Sequence, residues 1–274
     1  MESRFIQSGC ARLHVAQFGA HMSPSAVPVL FLHAGVCDSR MWGVNARLLA
    51  MSRRVAAFDR RGFGQTQSPD EPFDAVSDVT AVMDGLGMER AVLVGCSMGG
   101  MVALDVAVTH PSRVAGLVLI NAAISGATEP DDSAHQPKSL LAALEAAGRA
   151  RDLDRINELE AQLWLDGPFE APGRVSGAAR ALFLNMNAKV LAHPPLTQER
   201  PPPGAYAHLG GLKIPALVLT SPLDLWVMQK ISEMIAASIP GAELKPLPGA
   251  AHLPSLEAPS LLQPILEEFI GRIR

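Results

Sequence analysis

The organisation of this 274-residue chain follows from one segment, Val92-Leu93-Val94-Gly95-Cys96-Ser97-Met98-Gly99-Gly100-Met101. Its apolar, β-branched beginning predicts a buried strand, and the residues that follow, up to His110, predict a helix. A sharp turn from strand to helix pushes the central residue, Ser97, toward positive φ and crowds its neighbours. Only small residues fit two positions before and after it, where Gly95 and Gly99 stand. We therefore expect the Ser97 hydroxyl to stand above the end of a sheet, at the positive end of the next helix.

Short apolar runs alternate with amphipathic segments along most of the chain. The predicted strands are 3–7, 12–17, 27–32, 55–58, 91–95, 114–120, 215–219 and 242–247. Helices are predicted over 40–51, 74–86, 98–110, 225–238 and 259–273, the last one kinked at Pro264. The first two strands, joined at Gly9, predict a hairpin at the edge of the sheet. This pattern predicts an α/β fold with an eight-stranded, mostly parallel sheet flanked by helices.

The alternation stops between residues 125 and 208, where the sequence offers helical patterns and no convincing strand. Helices are predicted there over 139–150, 153–165 and 175–191, separated by stretches rich in glycine and proline. An all-helical insertion after the sixth strand of a parallel sheet predicts a helical lid over the carboxyl ends of the strands. We expect a core domain of residues 1–124 and 209–274 and a lid of residues 125–208.

Composition and charge narrow the classes of function. Hydrophobic residues make up 48% of the chain, which indicates a globular protein. The net charge is −4 and no basic stripe is present, which argues against a nucleic-acid partner. The cysteines, at positions 10, 37 and 96, lack close pairing and fit free thiols in a reducing compartment. With neither a signal peptide nor a membrane-spanning run, we expect a cytoplasmic protein that does not contact a membrane. The sequence does not decide between a monomer and a homodimer, because lid and surface helices of two copies could pair.

Polar residues that follow the predicted strands form a set suited to nucleophilic catalysis. Catalytic groups in open α/β sheets gather at the carboxyl ends of strands, where Ser97, Asp224 and His252 stand. A serine hydroxyl is a weak nucleophile that needs a base, and an imidazole titrates close to neutral pH. A carboxylate must then orient the imidazole and stabilise its charged form. Taken singly, Asp224 could instead cap the next helix, and His252 could be a loop histidine bonded to backbone.

Attack on a carbonyl also requires hydrogen-bond donors for the developing oxyanion. The backbone N–H of Met98, at the start of the helix after Ser97, is one candidate for the oxyanion hole. The second candidate is Gly35, in the loop after strand 27–32. A glycine lets the backbone approach a substrate closely, although a simple turn would require the same residue.

Together these features resemble the α/β-hydrolase superfamily, specifically its small lidded serine esterases and enol-lactonases. The matching pieces are His33-Ala34-Gly35 with Trp42 beyond, residues 59–64, residues 95–100, Asp224, and Ala251-His252-Leu253-Pro254 with Glu257 after. The resemblance implies a triad of Ser97, Asp224 and His252, and neither a metal nor an organic cofactor. The chain departs from the family pattern at Ala34, where a glycine usually follows the histidine. It also has Ser221-Pro222-Leu223 where a glycine–acid pair usually precedes the triad acid.

The serine at position 97 excludes some classes of reaction and leaves several others. Similar lidded enzymes that open epoxides or displace halide carry an aspartate there, whereas a serine leaves esterases, thioesterases, lactonases, peptidases and C–C bond hydrolases. The loop 59–62 resembles the ester and lactone group more closely, by analogy alone. We therefore expect hydrolysis of a small-molecule ester or lactone. The alternatives are a C–C bond hydrolase of a β-diketone-type ring-cleavage product and a non-catalytic small-molecule binding protein.

Several bulky residues could line a substrate pocket, although such residues more often belong to the core. These candidates are Trp42, Phe183, Met186, Leu225, Trp226 and Leu253. Arg40 and Arg60 could each pair with a substrate carboxylate, or with solvent and loop acids. Cys96 is expected to be buried and to point away from His252. No metal site is expected, because the other histidines, at positions 14, 21, 110, 135, 193 and 208, lack ligand spacing.

Overall fold

The computed structural model describes residues 1–19 and 26–274, so that of the histidines named above only His21 lies outside the described residues. Eight strands form one sheet in the spatial order β1-β2-β4-β3-β5-β6-β7-β8 within this described part. They are β1 (Glu2–Ser8), β2 (Ala11–Phe18), β3 (Val29–Leu32), β4 (Val55–Phe58), β5 (Ala91–Cys96), β6 (Val114–Ile120), β7 (Ala216–Thr220) and β8 (Glu243–Pro246).

The sheet is parallel except at one edge. Strand β2 pairs antiparallel with both β1 and β4, and every pairing from β4 through β3 to β8 is parallel. The central strands β3, β4, β5 and β6 are buried along their whole length, as expected for parallel strands covered on both faces. The predicted eight-stranded, mostly parallel α/β sheet is therefore confirmed.

Helices cover both faces of the sheet. They are α1 (Gly43–Leu49), α2 (Ala75–Gly85), α3 (Met98–Thr109), α4 (Lys138–Ala150), α5 (Leu153–Glu160), α6 (Gly177–Ala192), α7 (Trp226–Ser238), α8 (Pro254–Glu257) and α9 (Pro259–Gly271). Alternate residues of a strand point to opposite faces, so Leu30 belongs to the buried cluster that includes residues of α2, α3 and α7, and Phe31 to the cluster that includes residues of α1 and α9. Within the two described ranges, no helix has both the length and the apolar character that a membrane crossing requires.

Three predicted helices differ in detail from the observed ones. The helix expected over 40–51 begins as a 3-10 turn, Ser39–Trp42, before α1. In the region where one helix is expected over 153–165, the α-helix α5 ends at Glu160 and a π-helical turn, Ala161–Asp166, follows it. The last helix follows the separate short helix α8, and α9 continues past Pro264. Such local changes among 3-10, α- and π-helical hydrogen bonding arise from packing against other elements. The apolar period of a single segment does not indicate them.

Residues 125–208, termed the helical segment below, contain α4, α5 and α6 and contribute no strand to the sheet. The two ends of this segment meet, because a Cβ added to Gly126 would lie 2.7 Å from the Cα of Gly204. At this base, the Ser125 hydroxyl donates to Asp105 Oδ1 of α3 at 2.5 Å and accepts from the Ala205 N–H at 2.8 Å. The division into core and lid, and the function of this segment as a lid, stay predictions.

Candidate active site

Ser97 lies at the apex of the turn between β5 and α3, with φ 53° and ψ −121°. The turn leaves no room for side chains on either side. A Cβ on Gly95 would lie 2.4 Å from the carbonyl oxygen of Gly99, and a Cβ on Gly99 would lie 2.2 Å from that of Leu32. Both glycines are therefore required by the close approach of backbone to backbone at this turn.

Hydrogen bonds to the neighbouring strand fix the backbone of this turn. The Ser97 N–H donates to the Ile120 carbonyl at 3.0 Å, and the Ser97 carbonyl accepts from the Ala123 N–H at 3.1 Å. A non-glycine residue in such a backbone conformation costs on the order of 1–3 kcal/mol, which these surrounding contacts offset. The Ser97 side chain is left partly exposed at the carboxyl edge of the sheet.

Asp224 and His252 form a buried pair at the same edge. His252 Nδ1 donates to Asp224 Oδ2 at 2.7 Å, and the two residues are 1% and 3% exposed. The second carboxylate oxygen, Oδ1, accepts from the Leu225 N–H at 2.7 Å. Because a neutral imidazole that donates from Nδ1 has an unprotonated Nε2, this arrangement leaves His252 with a basic nitrogen.

The residue before the apex contacts the His252 loop. Cys96 Sγ lies 3.5 Å from the His252 carbonyl oxygen, while Ser97 Oγ and the His252 ring do not hydrogen-bond within the described residues. Catalytic hydrogen bonds are often long in unliganded enzymes and shorten when substrate binds. Burial raises the pKa of the Cys96 thiol well above its usual value, which keeps this cysteine protonated and inert.

Asn121, which follows β6, links the loops that carry Asp224 and His252. Its side-chain Nδ2 donates to Ser221 Oγ at 2.9 Å and to the carbonyls of Ala251 and His252 at 3.2 and 3.0 Å. Its Oδ1 accepts from the Ser221 N–H at 2.9 Å. The residue is buried and adopts a φ of 45°, a conformation that asparagine tolerates better than most residues. Its place directly after the predicted strand 114–120 gives no indication of this bridging role.

Two further residues that the sequence did not single out as functional surround His252. The Trp164 ring, in the π-helical turn of the helical segment, lies with its centroid 4.6 Å from that of the His252 ring. The buried Glu257 carboxylate accepts from the Ala251 N–H at 2.6 Å and pairs with Arg174 of the helical segment. Burial raises the pKa of Glu257, and the Arg174 guanidinium opposes that rise. The helical segment thus contacts the His252 ring through Trp164 and reaches the loop of His252 through Arg174 and Glu257.

The residues that carry the two predicted oxyanion donors are in contact. A Cβ on Gly35 would be 3.0 Å from the Met98 Cε, so the loop after β3 contacts the first residue of α3. Neither the Gly35 nor the Met98 N–H donates to a backbone carbonyl of the described chain. Both N–H groups are therefore available to a substrate oxygen, and their function as an oxyanion hole stays a prediction.

His33 shapes the loop that carries Gly35. Its Nδ1 donates to the Ala34 carbonyl at 2.8 Å, and its Nε2 accepts from the Arg60 N–H at 3.0 Å. Burial, assisted by the charge of Arg60, lowers the pKa of His33 to about 3. His33 is thus a neutral ring that ties the loop after β3 to the loop after β4.

The loop after β4, residues 59–64, is fixed by buried charges. Asp59 accepts hydrogen bonds from His14 Nδ1, the Ser39 N–H and the Gln65 N–H at 2.8 to 2.9 Å. Burial alone would raise the pKa of Asp59, but these donors outweigh it and lower the pKa to about 2. Arg61 is held by the carboxylates of Asp78 and Glu71. This loop is a rigid support beside the Gly35 loop.

Met98 borders two adjoining cavities of about 260 and 470 Å³. The residues that both cavities share are Arg60, Ala75, Met98 and Glu199. Residues 193–196 of the helical segment and Phe63 of the loop after β4 line the smaller cavity. Space for a small ligand is therefore present beside Met98, the residue that follows Ser97.

The six predicted substrate residues fall into two groups. Trp42, Phe183, Met186 and Leu253 are fully buried in one apolar cluster, where Trp42 stacks on Phe31 at 4.7 Å. Leu225 and Trp226 lie at the start of α7, and the Trp226 ring stacks on that of His135 at 4.4 Å. The cavities beside Met98 are lined by other side chains. A contact between these six residues and substrate stays a prediction.

The histidines outside the site have separate surroundings. His14 is bound to Asp59, and His193 Nδ1 lies 2.6 Å from the Pro194 carbonyl. Among the residues that the structure describes, no three side chains of His, Cys, Asp and Glu lie close enough together to hold a metal ion. Cys10, Cys37 and Cys96 are free thiols.

Residues 29–262 match the model of the protein family described as the alpha/beta hydrolase family. The chain belongs to that family. The matched region runs from β3 beyond β8 and contains Ser97, Asp224 and His252. The resemblance predicted from the sequence motifs is thereby confirmed at the level of the family.

Proteins similar to this α/β hydrolase include a semialdehyde hydrolase, an esterase and an enol-lactonase. A 2-hydroxymuconate semialdehyde hydrolase from Pseudomonas sp. (strain CF600) is 39% identical over 110 residues, and the match covers 38% of this chain. The chain spans only 39% of that curated relative. Among solved structures, esterase RhEst1 from Rhodococcus sp. ECU1013 is similar with a TM-score of 0.79 and 25% identity over 100% of both chains. The enol-lactonase from Burkholderia xenovorans LB400 shares the fold with a TM-score of 0.73 and 19% identity, over 99% of this chain and 100% of its own.

Proposed function

We propose that this α/β hydrolase cleaves a small carboxylic ester or lactone through an acyl-enzyme formed on Ser97. The observation that carries the proposal is the buried Asp224–His252 hydrogen bond beside the turn that presents Ser97. The order Ser97, Asp224, His252 along the chain is that of α/β-hydrolase triads. The similarity to esterase RhEst1 over its whole length supports an ester as the bond.

In the proposed mechanism, His252 Nε2 accepts the proton of Ser97 Oγ as that oxygen attacks the substrate carbonyl. The N–H groups of Gly35 and Met98 stabilise the oxyanion, and removing one such donor typically costs about 3–4 kcal/mol. His252 then gives the proton to the leaving alcohol and next activates the water that releases the acid. Asp224 stays ionised throughout and holds the ring through Nδ1–H.

The test is covalent labelling combined with a panel of short nitrophenyl esters, lactones and thioesters. We expect a fluorophosphonate to label Ser97, and Ser97→Ala to lower kcat by about 10⁴-fold or more. The matched control is Ser255→Ala, because Ser255 is a buried serine of α8 whose hydroxyl has no partner among the described residues. Labelling of the Ser97→Ala protein, or its full activity, would exclude the mechanism. A ligand recovered unhydrolysed from the wild-type protein would favour a binding protein.

A second candidate reaction is hydrolysis of a C–C bond in a β-diketone-type ring-cleavage product. The 39% identity to the 2-hydroxymuconate semialdehyde hydrolase over 110 residues favours it. The vinylogous diketone substrates of such a reaction are yellow, and cleavage removes the colour. Wild-type protein that bleaches the diketone and leaves nitrophenyl esters intact would select this reaction over ester hydrolysis.

We further propose a cytoplasmic location and no nucleic-acid partner. The net charge of −4 and the three free cysteines support these two points. Pairing of two copies is a separate proposal, supported by the surface helices that the sheet leaves on its outside. Light scattering across a range of protein concentrations distinguishes a monomer from a homodimer.

A further inference from the structure

Arg60, the second residue after β4, is a buried cation whose guanidinium lacks hydrogen-bond partners. The residue is 8% exposed, and its Nε and Nη2 have no acceptor among the described residues. Burial lowers the pKa of Arg60 to about 10, so the group still carries its charge at neutral pH. Buried donors of a charged group are nearly always paired, and an unpaired one requires a physical explanation.

The side chain of Arg60 lies at the cavities beside Met98. Arg60 and Met98 border both cavities described above. The Arg60 N–H donates to His33 Nε2 at 3.0 Å, which links its backbone to the loop of Gly35. The guanidinium packs over the Phe63 ring at 4.7 Å, a contact that restricts its orientation. A ligand that occupies these cavities beside Met98 therefore lies next to Arg60.

The other cation of the smaller cavity is already neutralised. Arg61 forms ion pairs with Asp78 at 2.9 Å and Glu71 at 2.7 Å. Glu199 borders both cavities with Arg60 but forms no ion pair with it in the described chain. Burial raises the pKa of Glu199, and the charge of Arg60 opposes that rise. Arg60 is thus the one cation shared by both cavities in the described chain, and its guanidinium has donors without partners. Glu199 is the acid that a bound anion would have to face.

Arg40 provides an internal comparison, because the sequence suggested both arginines as partners for a carboxylate. The Arg40 Nε and Nη2 donate to the two oxygens of Asp38 at 2.9 and 2.7 Å, and Nη1 donates to Asn185 Oδ1 at 2.9 Å. All three nitrogens of Arg40 therefore have partners. An incoming carboxylate would have to displace Asp38 at Arg40, whereas it would supply missing acceptors at Arg60.

We propose that Arg60 is a specificity-determining residue that binds the free carboxylate of an anionic acyl chain. This inference rests on the proposed ester or lactone hydrolysis at Ser97. It identifies the substrate class as half-esters of short dicarboxylic acids, or lactones that carry a carboxylate. Arginine suits this task because its planar, fork-shaped donors match the two oxygens of a carboxylate. Cavities of about 260 and 470 Å³ are large enough for an acyl chain of this size.

The experiment compares esters of equal chain length with and without the charge. The pairs are 4-nitrophenyl butyrate with mono-4-nitrophenyl succinate, and 4-nitrophenyl valerate with mono-4-nitrophenyl glutarate. The measured quantity is the ratio of kcat/KM for the anionic ester to that for the neutral ester. We expect Arg60→Gln to lower this ratio about 10- to 100-fold, as for loss of charge-assisted hydrogen bonds, and Arg60→Lys to lower it less.

Two further variants sharpen the result. Glu199→Gln removes the acid that faces a bound anion and should raise this ratio. If Glu199 instead formed a cation site, the same substitution would lower the ratio. Arg40→Gln is the matched control and should leave the ratio unchanged, because Arg40 is already paired. An equal loss of both activities in Arg60→Gln and Arg60→Lys, with the ratio unchanged, would overturn the proposal and assign Arg60 to the scaffold.

Binding of glutarate separates failure of this inference from failure of the proposed function. Calorimetric titration of the Ser97→Ala protein requires no turnover. We expect Arg60→Gln in that background to weaken glutarate binding about 10- to 100-fold relative to Ser97→Ala alone. Glutarate binding that is absent, or insensitive to Arg60, contradicts the inference whatever the esterase activity. Arg60-dependent binding in a protein that hydrolyses no ester would retain the anion site and reject the proposed reaction.

Discussion

The sheet edge around Ser97 and the helical segment above it are held in place by different forces. At the edge, steric exclusion leaves one conformation, since the glycines beside Ser97 contact backbone atoms directly. In the helical segment, apolar side chains such as Phe183 and Met186 pack into a core cluster, and polar contacts such as the pair between Arg174 and Glu257 add to them. We therefore expect substitutions at the edge to abolish function and substitutions in the helical segment to tune it.

The contacts of the helical segment converge on one buried carboxylate. Asp166 accepts from the N–H groups of Gly173 and Val175 at 2.8 and 2.9 Å and from Arg180 Nη1 at 2.8 Å. Arg174 donates to the Asp166 carbonyl and extends across to Glu257. This network connects the π-helical turn to the loop of His252. Polar contacts of this kind can be removed one at a time, unlike the steric contacts at the turn between β5 and α3 that carries Ser97, termed the elbow below.

The largest effect is expected from Gly99→Ala. Its methyl group would lie 2.2 Å from the Leu32 carbonyl oxygen, so β3 and α3 would have to move apart. Overpacking of this kind costs about 1–3 kcal/mol or more, and here it also displaces Ser97 from the Gly35 loop. We expect loss of measurable esterase activity and a lower midpoint of denaturant unfolding.

Gly43→Ala is the matched control for that substitution. Gly43 is the first residue of α1, and a Cβ there would have nothing within 4 Å. An alanine at this helical position should leave activity intact and raise stability slightly, by up to about 1 kcal/mol. Equal activity of the Gly99→Ala and Gly43→Ala proteins would mean that the elbow is not sterically determined.

The next effect in size is expected from Asn121→Leu. Leucine removes all four side-chain hydrogen bonds and leaves the Ala251 and His252 carbonyls and the Ser221 N–H without this partner. The loops of Asp224 and His252 would then be free to shift, and a displacement of about 1 Å can cost about a hundredfold in rate. We expect kcat to fall by about that factor with a smaller change in KM, measured on a nitrophenyl ester.

Asn45→Leu distinguishes positioning from general destabilisation. Asn45 is also fully buried, and its Nδ2 donates to the Pro259 carbonyl and Gln263 Oε1 between α1 and α9. Its loss should lower the free energy of unfolding by an amount similar to that for Asn121→Leu, about 2–3 kcal/mol, with kcat retained. A similar fall of kcat in both proteins would show that Asn121 acts only through stability.

The sequence predicted those parts of the molecule whose signals are local. Strands β4 and β6 have the predicted bounds, because unbroken apolar runs mark buried parallel strands. The turn at Ser97 could be anticipated from the spacing of its glycines, since the crowding arises within a few residues. Asp224 and His252 could be proposed from their places after β7 and β8, where topology alone brings strand ends together.

Features that depend on distant partners could not be predicted in this way. The partners of Asn121 lie 100 or more residues along the chain, so its bridging role has no local signal. Trp164 faces His252 from a π-helical turn, and that change of helical period alters the direction of the side chain. An aspartate lies close to both arginines in sequence, but Asp38 pairs with Arg40 whereas the oxygens of Asp59 accept from His14, Ser39 and Gln65, and the sequence does not indicate this difference.

A smaller effect is expected from breaking the pair between Arg174 and Glu257. Arg174→Gln leaves the buried Glu257 carboxylate without its cation, which should loosen the Ala251 N–H contact and the loop of His252. We expect kcat/KM to fall by about tenfold, and the double variant Arg174→Gln/Glu257→Gln to recover part of that loss. Steady-state kinetics of both single variants and the double variant measure the coupling.

Arg149→Gln is the matched control for this pair. Arg149 forms an ion pair with Glu145 within α4, and both side chains are well exposed, at 66% and 71%. Exposed pairs of this type contribute little, so kcat/KM should stay unchanged. Additive effects of the Arg174 and Glu257 substitutions would contradict the view that the helical segment controls the His252 loop through this contact.

The smallest effect is expected at the base of the helical segment, where Asp105 meets Ser125. Burial raises the pKa of Asp105 from 3.8 to about 6, and the hydrogen bond from Ser125 opposes that rise. The folded state therefore holds the Asp105 proton more tightly than the unfolded chain does. Its contribution to stability is fully present below about pH 4 and is lost as the pH rises toward 6.

Asp105→Asn removes this titration and keeps an acceptor for the Ser125 hydroxyl, so its stability should lack that decline. The difference in melting temperature between variant and wild type should grow from pH 4 to pH 6 and then level off. Scanning calorimetry at a series of pH values measures it, with Glu129→Gln, an exposed acid at the start of the helical segment, as control. Curves of wild type and Asp105→Asn that stay parallel would mean that Asp105 is as ionised when folded as when unfolded. The Ser125 hydroxyl would then donate to a charged carboxylate, so the base of the helical segment would be held through a charged group, as the contact at Glu257 is, and the contrast with the sterically held elbow would become sharper still.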